Sequence, residues 1–209
     1  MGRRPGSPEA REARREAIVV AAAAVFAEHR YPAVTMAEIA ARAGVAKGTP
    51  YLYYPTKEAL FLALYLQRMD AWLAALAVAL APVEGAGAIA DGFAHSLAAH
   101  PDVVRLVALL HGTLEQNVEA DDVLRFKHAA AAQLAPLVAL LEERAGVAAG
   151  QGMACLTAIR GLVVGLAQMA SPAPAVAAAL QAPAAAALRV DFESALAQGV
   201  RALLRGWAG

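Results

Sequence analysis

The sequence predicts an all-α protein with a small N-terminal part and a larger C-terminal part. Hydrophobic residues make up 59% of its 209 residues, and much of that share is alanine, the residue with the highest helix propensity. Aromatic residues make up only 6%, and runs of β-branched residues are few. Near the N-terminus, residues 35–57 carry the signals of two short helices, a tight turn and the start of a third helix.

The first helix is predicted over residues 9–29. Ile18, Val25 and Phe26 lie on one side of it at helical spacing and mark its buried face. The segment 30–32, which contains a proline, ends the helix.

A short capped helix and a sharp turn come next. Thr35 and Glu38 form the S/T-x-x-E pattern of a capping box, in which each side chain can bond a free amide of the first turn. Gly44 stands where the end of a helix favours a residue with positive φ. A second short helix is expected to begin at Ala46 or Lys47, and this spacing is that of a helix-turn-helix.

The second short helix is predicted to bury Val45, Pro50 and Tyr54. Five other residues are predicted to point outward or along its flank: Lys47, Gly48, Thr49, Tyr51 and Tyr53. The exposed set combines Lys, Gly, Thr and two Tyr, which is unusual for plain solvent contact and suits DNA. Lys and Thr can reach base edges, Gly lets the backbone approach closely, and Tyr hydroxyls can bond phosphate oxygens. Together with the start of the preceding helix and of the long helix that follows, the predicted DNA contacts are Thr35, Lys47, Gly48, Thr49, Tyr51, Tyr53 and Lys57.

These residues carry a family resemblance. The stretch VAKGTPYLYYPTKEALF resembles the recognition helix and the start of helix four in the TetR family of bacterial transcription regulators. The upstream FAEHRYPAVTMAEIAARAGV resembles the end of that family's helix one and its helix two. Pro50 stands where the family more often has an aliphatic residue, and Tyr54 where it more often has Phe. The resemblance implies a three-helix DNA-binding domain followed by a helical ligand-binding and dimerisation domain.

Charge is unevenly distributed in this neutral chain. Residues 1–57 carry nine Lys and Arg and five Glu, a net charge of +4, which leaves −4 for residues 58–209. A basic head on an acidic body fits a DNA-binding domain joined to a domain that does not bind DNA, and the alternative is a solvated charge pattern without a function. Residues 1–8 are expected to form a disordered basic arm, in which Arg3 and Arg4 either contact DNA or belong to a solvated tail.

The predicted domains are the arm (1–8), a helix-turn-helix domain (9–56) and a helical regulatory and dimerisation domain (57–209). A long helix over residues 57–80 belongs to both parts and offers a route by which a distant site could move the DNA-reading head. Pro136 is expected to kink or break a later helix near Ala132. The other predicted elements are helices over residues 89–100, 103–114, 123–144, 153–170 and 191–207, and a loop with one short helix over 171–187.

The last two long helices offer more apolar surface than one small body should need. A ridge of small residues in the first of them allows close helix approach, so we predict a four-helix bundle formed with a second copy. The alternative is an intrachain core, and the TetR resemblance favours the dimer. The predicted dimer residues are Ala158, Gly161, Gly165, Phe192, Leu196, Leu203 and Trp207.

An effector pocket is predicted where polar groups meet the apolar interior of the C-terminal domain. His111 and Glu115 share a helix face, and the alternatives for this pair are helix-end capping, pocket lining, or a metal site with His128 or His95. Few charges are expected inside, so the predicted effector is small and apolar. The candidate pocket residues are Trp72, Phe93, His111, Glu115, Asn117, Phe126, Gln168 and Met169.

No enzyme, metal or cofactor is predicted, because the sequence lacks a nucleophile elbow, a P-loop, a paired-Cys motif and HExxH. The charged N-terminus predicts no signal peptide. The lone Cys155 is interpreted as a packing thiol. Residues 153–170 are interpreted as a buried helix of a soluble protein and not as a membrane span. We therefore predict a cytoplasmic dimeric repressor that binds palindromic operator DNA and is released by an effector. The alternatives are a helical DNA-binding protein without an effector and a helical carrier of small ligands.

Overall fold

A computed structural model describes residues 7–208, and this part of the chain is helical throughout apart from its connecting turns. An isolated β-bridge between Val147 and Ala208 fastens the C-terminal end. The α-helices are α1 (Pro8–Glu28), α2 (Met36–Arg42), α3 (Lys57–Leu80), α4 (Ala86–Ala98), α5 (Pro101–Leu109), α6 (Ala120–Arg144), α7 (Gly152–Ala170), α8 (Pro174–Ala179) and α9 (Phe192–Gly206). Shorter 3₁₀ helices cover Tyr31–Ala33, Thr49–Leu52 and Pro183–Leu188, and a π-helical turn covers Leu110–Leu114.

Helix α1 begins earlier than predicted because Ser7 caps it. The Ser7 hydroxyl accepts a hydrogen bond from the amide of Ala10 at 3.2 Å, and Pro8 occupies the first helical position, where its missing N–H costs nothing. Residues 7 and 8 are therefore part of the helix and not of the predicted arm. Arg3 and Arg4 lie outside the described residues.

The first compact unit contains residues 7–67 and 110–128. Its core is centred on Phe61, which makes edge-to-face contacts with Phe26 at 5.3 Å and with Tyr31 at 4.9 Å between ring centroids. A second aromatic pair, Tyr65 and Phe126, packs at 5.5 Å. The contacts of Phe61 hold α1, the 3₁₀ turn after it and the start of α3 together, and the second pair joins α3 to α6.

The second compact unit contains residues 68–109 and 129–208, and α9 packs in it against α4 and α7. Helices α7 and α9 approach closely at Gly199, where a Cβ atom would lie 2.4 Å from Leu162 Cδ2. Gly152 makes a similar approach to α6, because its Cβ would lie 2.9 Å from the carbonyl oxygen of Val138. Glycines therefore let helices pack closely inside this unit.

Several predicted boundaries need correction. The two units do not divide the chain at residue 56, since α3 contributes residues to both and residues 110–128 group with the N-terminal helices. Helix α6 continues through Pro136, so the predicted alternative of a break near Ala132 is wrong, and a kink there stays a prediction. The segment after α7 holds two short helices where one was predicted, whereas α3 has the predicted bounds.

Two helices within residues 7–208, α3 and α7, are long and apolar enough to cross a membrane by length and composition. Core helices of soluble proteins can be as long and apolar, so two such helices are weak evidence for a membrane span. Only 22% of the most apolar window of α7 is buried in its own chain. The predicted buried helix is thus buried on one face, which includes Cys155, and burial raises the pKa of that thiol as expected for a packing residue.

Candidate nucleic-acid interface

The frame of the candidate interface is α2 and its two ends. The hydroxyl of Thr35 accepts a hydrogen bond from the amide of Glu38 at 3.2 Å and so caps the helix. At the other end Gly44 has φ of 65°, its amide donates to Ala41, and the amide of Val45 donates to Ala40. This is a Schellman motif, which turns the chain sharply. The predicted cap by Thr35 and the predicted turn at Gly44 are confirmed.

The second short helix of the motif is a 3₁₀ helix over Thr49–Leu52, so the predicted start at Ala46 or Lys47 is wrong. Pro50 supplies the reason, because it has no amide hydrogen to donate to the carbonyl of Ala46. The amide of Thr49 donates to that carbonyl instead, at 2.8 Å, which closes the tighter three-residue turn. Pro50 and Tyr54 are buried as predicted, and Val45 is half-buried.

The side chains predicted to contact DNA lie around this 3₁₀ helix. Lys47, Gly48 and Tyr51 are exposed, and Thr49 and Tyr53 are half-buried. Thr35 is exposed as well, and its hydroxyl hydrogen remains available after the capping bond. The structure therefore brings these residues to one region of the first unit, and their contacts with DNA stay a prediction.

Lys57 makes contacts inside the protein that were not predicted. Its ammonium group donates to the carbonyl oxygens of Tyr31 at 3.1 Å and Val34 at 3.0 Å, and it lies 4.1 Å from the centre of the Tyr31 ring. The hydroxyl of Tyr31 donates to Glu58 at 2.8 Å, and burial together with that carboxylate raises the pKa of Tyr31. Lys57 and Glu58 thus fasten the turn between α1 and α2 to the start of α3.

Further polar contacts connect α2 to the end of α1 and cap the start of α3. The carboxylate of Glu38 does not close the predicted capping box but lies 3.1 Å from Nε2 of His29. Arg42 makes two hydrogen bonds to Glu28, at 2.9 and 2.7 Å, and these bonds hold the pKa of that carboxyl below its ordinary value. The hydroxyl of Thr56 accepts from the amide of Ala59 at 3.0 Å and so caps the start of α3.

Two features of this region were missed in the sequence. The first is Leu52, whose side chain is 76% exposed at the end of the 3₁₀ helix. The second is the contact of Tyr31 with Glu58. Pro50 was the available signal for the 3₁₀ turn that determines the position of Leu52, whereas no local pattern links two residues 27 positions apart.

The candidate pocket residues fall into three groups. Trp72 and Phe93 are buried in the second unit with ring centroids 5.6 Å apart, and the indole of Trp72 donates to Ser96 at 3.0 Å. Gln168 and Met169 lie on the exposed side of α7, so they line no interior of their own chain. This placement corrects the prediction for those two.

The polar candidates lie in the first unit, where Phe126 is buried and Asn117 is exposed. His111 Nδ1 lies 3.0 Å from a carboxylate oxygen of Glu115, and Lys127 bonds the other oxygen at 2.5 Å. Among the described residues, no group of three or more His, Cys, Asp or Glu side chains has the arrangement of a metal site. The carboxylate of Glu115 thus forms an ion-pair cluster with His111 and Lys127 at the π-helical turn.

The predicted dimer residues also divide. Gly161 and Gly165 lie on the exposed side of α7, and a Cβ atom at either would meet nothing within 4 Å. Leu196 has 0% exposure in the single chain, so it cannot lose surface on dimerisation and is withdrawn from the predicted interface. The other four are half-buried: Ala158, Phe192, Leu203 and Trp207.

Comparisons with known proteins agree with this geometry. The family description "Bacterial regulatory proteins, tetR family" matches residues 18–64, and "Tetracyclin repressor-like, C-terminal domain" matches residues 66–208. The HTH-type transcriptional regulator RutR of Escherichia coli strain K12 is 39% identical over 64 residues, which are 31% of this chain. The matched segment spans only 30% of the length of RutR.

Solved structures share the fold along nearly the whole chain. The fatty acid degradation regulator FadR from Bacillus halodurans has a TM-score of 0.56 at 21% identity, with 97% of each chain covered. FadR from Bacillus subtilis, solved in complex with stearoyl-CoA, has a TM-score of 0.55 at 18% identity, with 90% of this chain and 96% of that chain covered. Because the two family matches together run from residue 18 to residue 208, the chain belongs to the TetR family of bacterial transcription regulators.

Proposed function

We propose that the protein is a cytoplasmic repressor that binds palindromic operator DNA as a homodimer and leaves it when a small apolar effector binds. The observation that carries the DNA-binding part is the exposed set around Thr49–Leu52, held between the capped end of α2 and the capped start of α3. A rigid frame of this kind can present Lys47 and Thr49 to base edges in the major groove.

The proposed dimer is supported by the exposed side of α7. This side carries Gly161 and Gly165 with open space in front of them, and its ends carry Met153 and Met169, which are 42% and 59% exposed. An apolar helix that leaves this side uncovered favours a second copy over the intrachain core. Helix α9 lies beside α7 and would complete a four-helix bundle across the two copies.

The apolar effector is supported by the composition of the interior. Among the described residues no charged residue is buried, so a strongly charged effector would lack partners inside the second unit. Neutral apolar compounds are therefore the first probes, with stearoyl-CoA, which is bound in the Bacillus subtilis FadR structure, as the charged comparison.

The test of the proposed function is selection from a library of random DNA duplexes by the full chain, followed by salt titrations on the selected and on random DNA. A repressor of this kind should enrich two half-sites related by a dyad, and it should bind random DNA far more weakly at the same salt concentration. Thr49→Ala should relax the preference at one or two bases. A chain that enriches no duplex would instead favour the carrier of small ligands.

A further inference from the structure

Leu52 combines high exposure with a position on the proposed reading surface. Its side chain is 76% exposed, beside Tyr51 at 51%. Single exposed leucines are ordinary on protein surfaces, so the exposure alone carries nothing. What distinguishes Leu52 is that it ends the 3₁₀ helix in which Thr49 is the first residue.

The 3₁₀ geometry aligns Leu52 with Thr49. In such a helix there are three residues per turn, and side chains at positions i and i+3 eclipse each other. Thr49 and Leu52 therefore share one face. Tyr53 is aligned instead with the buried Pro50, three positions earlier, and the amide of Tyr53 donates to the carbonyl of Pro50 at 3.0 Å. An exposed leucine thus lies on the same face as the threonine that is proposed to read base edges, one turn further along.

We propose that Leu52 is a specificity-determining residue that contacts the C5 methyl group of a thymine in the major groove. The edges of the base pairs there present hydrogen-bond donors and acceptors, and the thymine methyl is their apolar group. An apolar side chain gains from contact with that methyl and loses when it desolvates a donor or acceptor without bonding it. This inference rests on the proposed DNA-binding function.

The test replaces each thymine of the selected half-site, one at a time, by deoxyuridine, which pairs with adenine in the same way but lacks the methyl group. For the unchanged protein, the replacement at one thymine position should weaken binding roughly fourfold, which is the effect expected for one buried methyl-sized group. Leu52→Ala should bind the two duplexes equally at that position. Leu52→Asn, which keeps the length and branching of the side chain but makes it polar, should also lose the discrimination.

Leu188→Ala is the matched control, because Leu188 is 70% exposed and lies in the second unit. This variant should keep the fourfold preference for thymine. The inference is overturned if no deoxyuridine substitution weakens binding by the unchanged protein. It is also overturned if the substitution at that position weakens binding by Leu52→Ala to the same extent as binding by the unchanged protein. An unchanged protein that selects no duplex at all overturns the proposed function, and this inference with it.

Discussion

The side chain of Lys57 links the turn after α1 to the start of α3. An ammonium group has three hydrogen-bond donors, and the carbonyls of Tyr31 and Val34 accept two of them. The predicted DNA contact of Lys57 would use the third. Lys57 would then hold the reading head together and bind DNA with one group.

Lys57→Ala should reduce both stability and DNA binding. Loss of the two carbonyl bonds and the ring contact should lower the free energy of unfolding by about 1–3 kcal/mol. Affinity should fall for all DNA sequences, and the salt slope should decrease by about one unit because one phosphate contact is lost. Thermal unfolding and fluorescence anisotropy at several salt concentrations measure the two effects.

Tyr31→Phe is the control for this variant, because it removes only the hydroxyl that donates to Glu58. It keeps the carbonyl and the ring that Lys57 contacts, so the salt slope should stay unchanged. A Lys57→Ala protein with lower stability and an unchanged salt slope would show that Lys57 has only the structural role.

Glu115 should make stability depend on pH. Partial burial raises the pKa of its carboxyl, but the contacts with Lys127 and His111 outweigh burial and leave that pKa below its ordinary value. A carboxyl with a lowered pKa stabilises the fold above the pKa of the unfolded chain, about 4.3, and this contribution is lost as pH falls through the folded value.

Glu115→Gln should therefore lower the free energy of unfolding at pH 7 by about 0.5–1 kcal/mol, since the ion pairs are partly exposed. The difference from the unchanged protein should shrink steadily below pH 4. Urea unfolding at a series of pH values measures it, with Glu143→Gln, an exposed change on α6, as the control. A difference that persists undiminished at low pH would contradict the ion-pair account.

At the scale of the elements, glycines in α7 and α9 have opposite surroundings. Gly199 approaches Leu162 within one chain, whereas Gly161 faces open space. A side chain at position 161 is therefore compatible with the folded chain and can conflict only with a second copy. This contrast separates folding from dimerisation experimentally.

Gly161→Leu should weaken the dimer without unfolding the chain, because a large side chain has no room at a close crossing of two helices. Gly161→Ala should raise the helix stability of each chain by about 0.5–1 kcal/mol. Sedimentation velocity over a range of protein concentrations measures the dimer, and circular dichroism measures the fold. Gly161→Leu that sediments as a folded dimer of normal affinity would remove α7 from the proposed interface.

The elements also differ in how well the sequence predicts them. Thr35 and Gly44 act through bonds to residues within a few positions, so α2 and its ends were predictable from local patterns. The 3₁₀ helix at Thr49 was not, because its choice over an α-helix depends on a single amide that Pro50 lacks. The π-helical turn after α5 lies inside a uniform helical pattern, and no residue type marks it.

The residues of the candidate interface were likewise predictable where local patterns place them, and not where the fold does. The exposed residues around Thr49 follow from their spacing along a short helix. Leu52 needed the observed three-residue turn, and the contacts of Lys57 needed the fold that brings Tyr31 to it. The exposed positions of Gln168 and Met169 depend on which side of α7 its own chain covers, and both sides of this helix are apolar in the sequence.

At the scale of the whole molecule, α3 is one continuous helix that contributes residues to both compact units. A ligand that fits only one arrangement of this helix would change the separation of the two reading heads in the proposed dimer. Heads that no longer match two half-sites a whole number of helical turns apart lose affinity for DNA. A coupling of roughly 1–3 kcal/mol suffices for a 5- to 150-fold change.

Reciprocity makes this coupling measurable from the ligand side, because operator DNA must weaken ligand binding by the same factor. The measurement is calorimetry of a neutral apolar ligand with and without the selected DNA. Equal ligand affinity in the two titrations would exclude that ligand as an inducer. Failure across a broad panel of apolar compounds would favour the alternative of a DNA-binding protein without an effector.

The two tryptophans give the protein two optical reporters in different surroundings. Trp72 is buried on α3 with its indole bonded to Ser96, and Trp207 is half-buried at the end of α9, where its carbonyl accepts from the amide of Ala148. In a Trp207→Phe protein the emission comes from Trp72 alone. Its wavelength then follows the surroundings of α3 when a ligand binds, without any attached dye, while Trp72→Phe leaves a reporter at the proposed dimer contact.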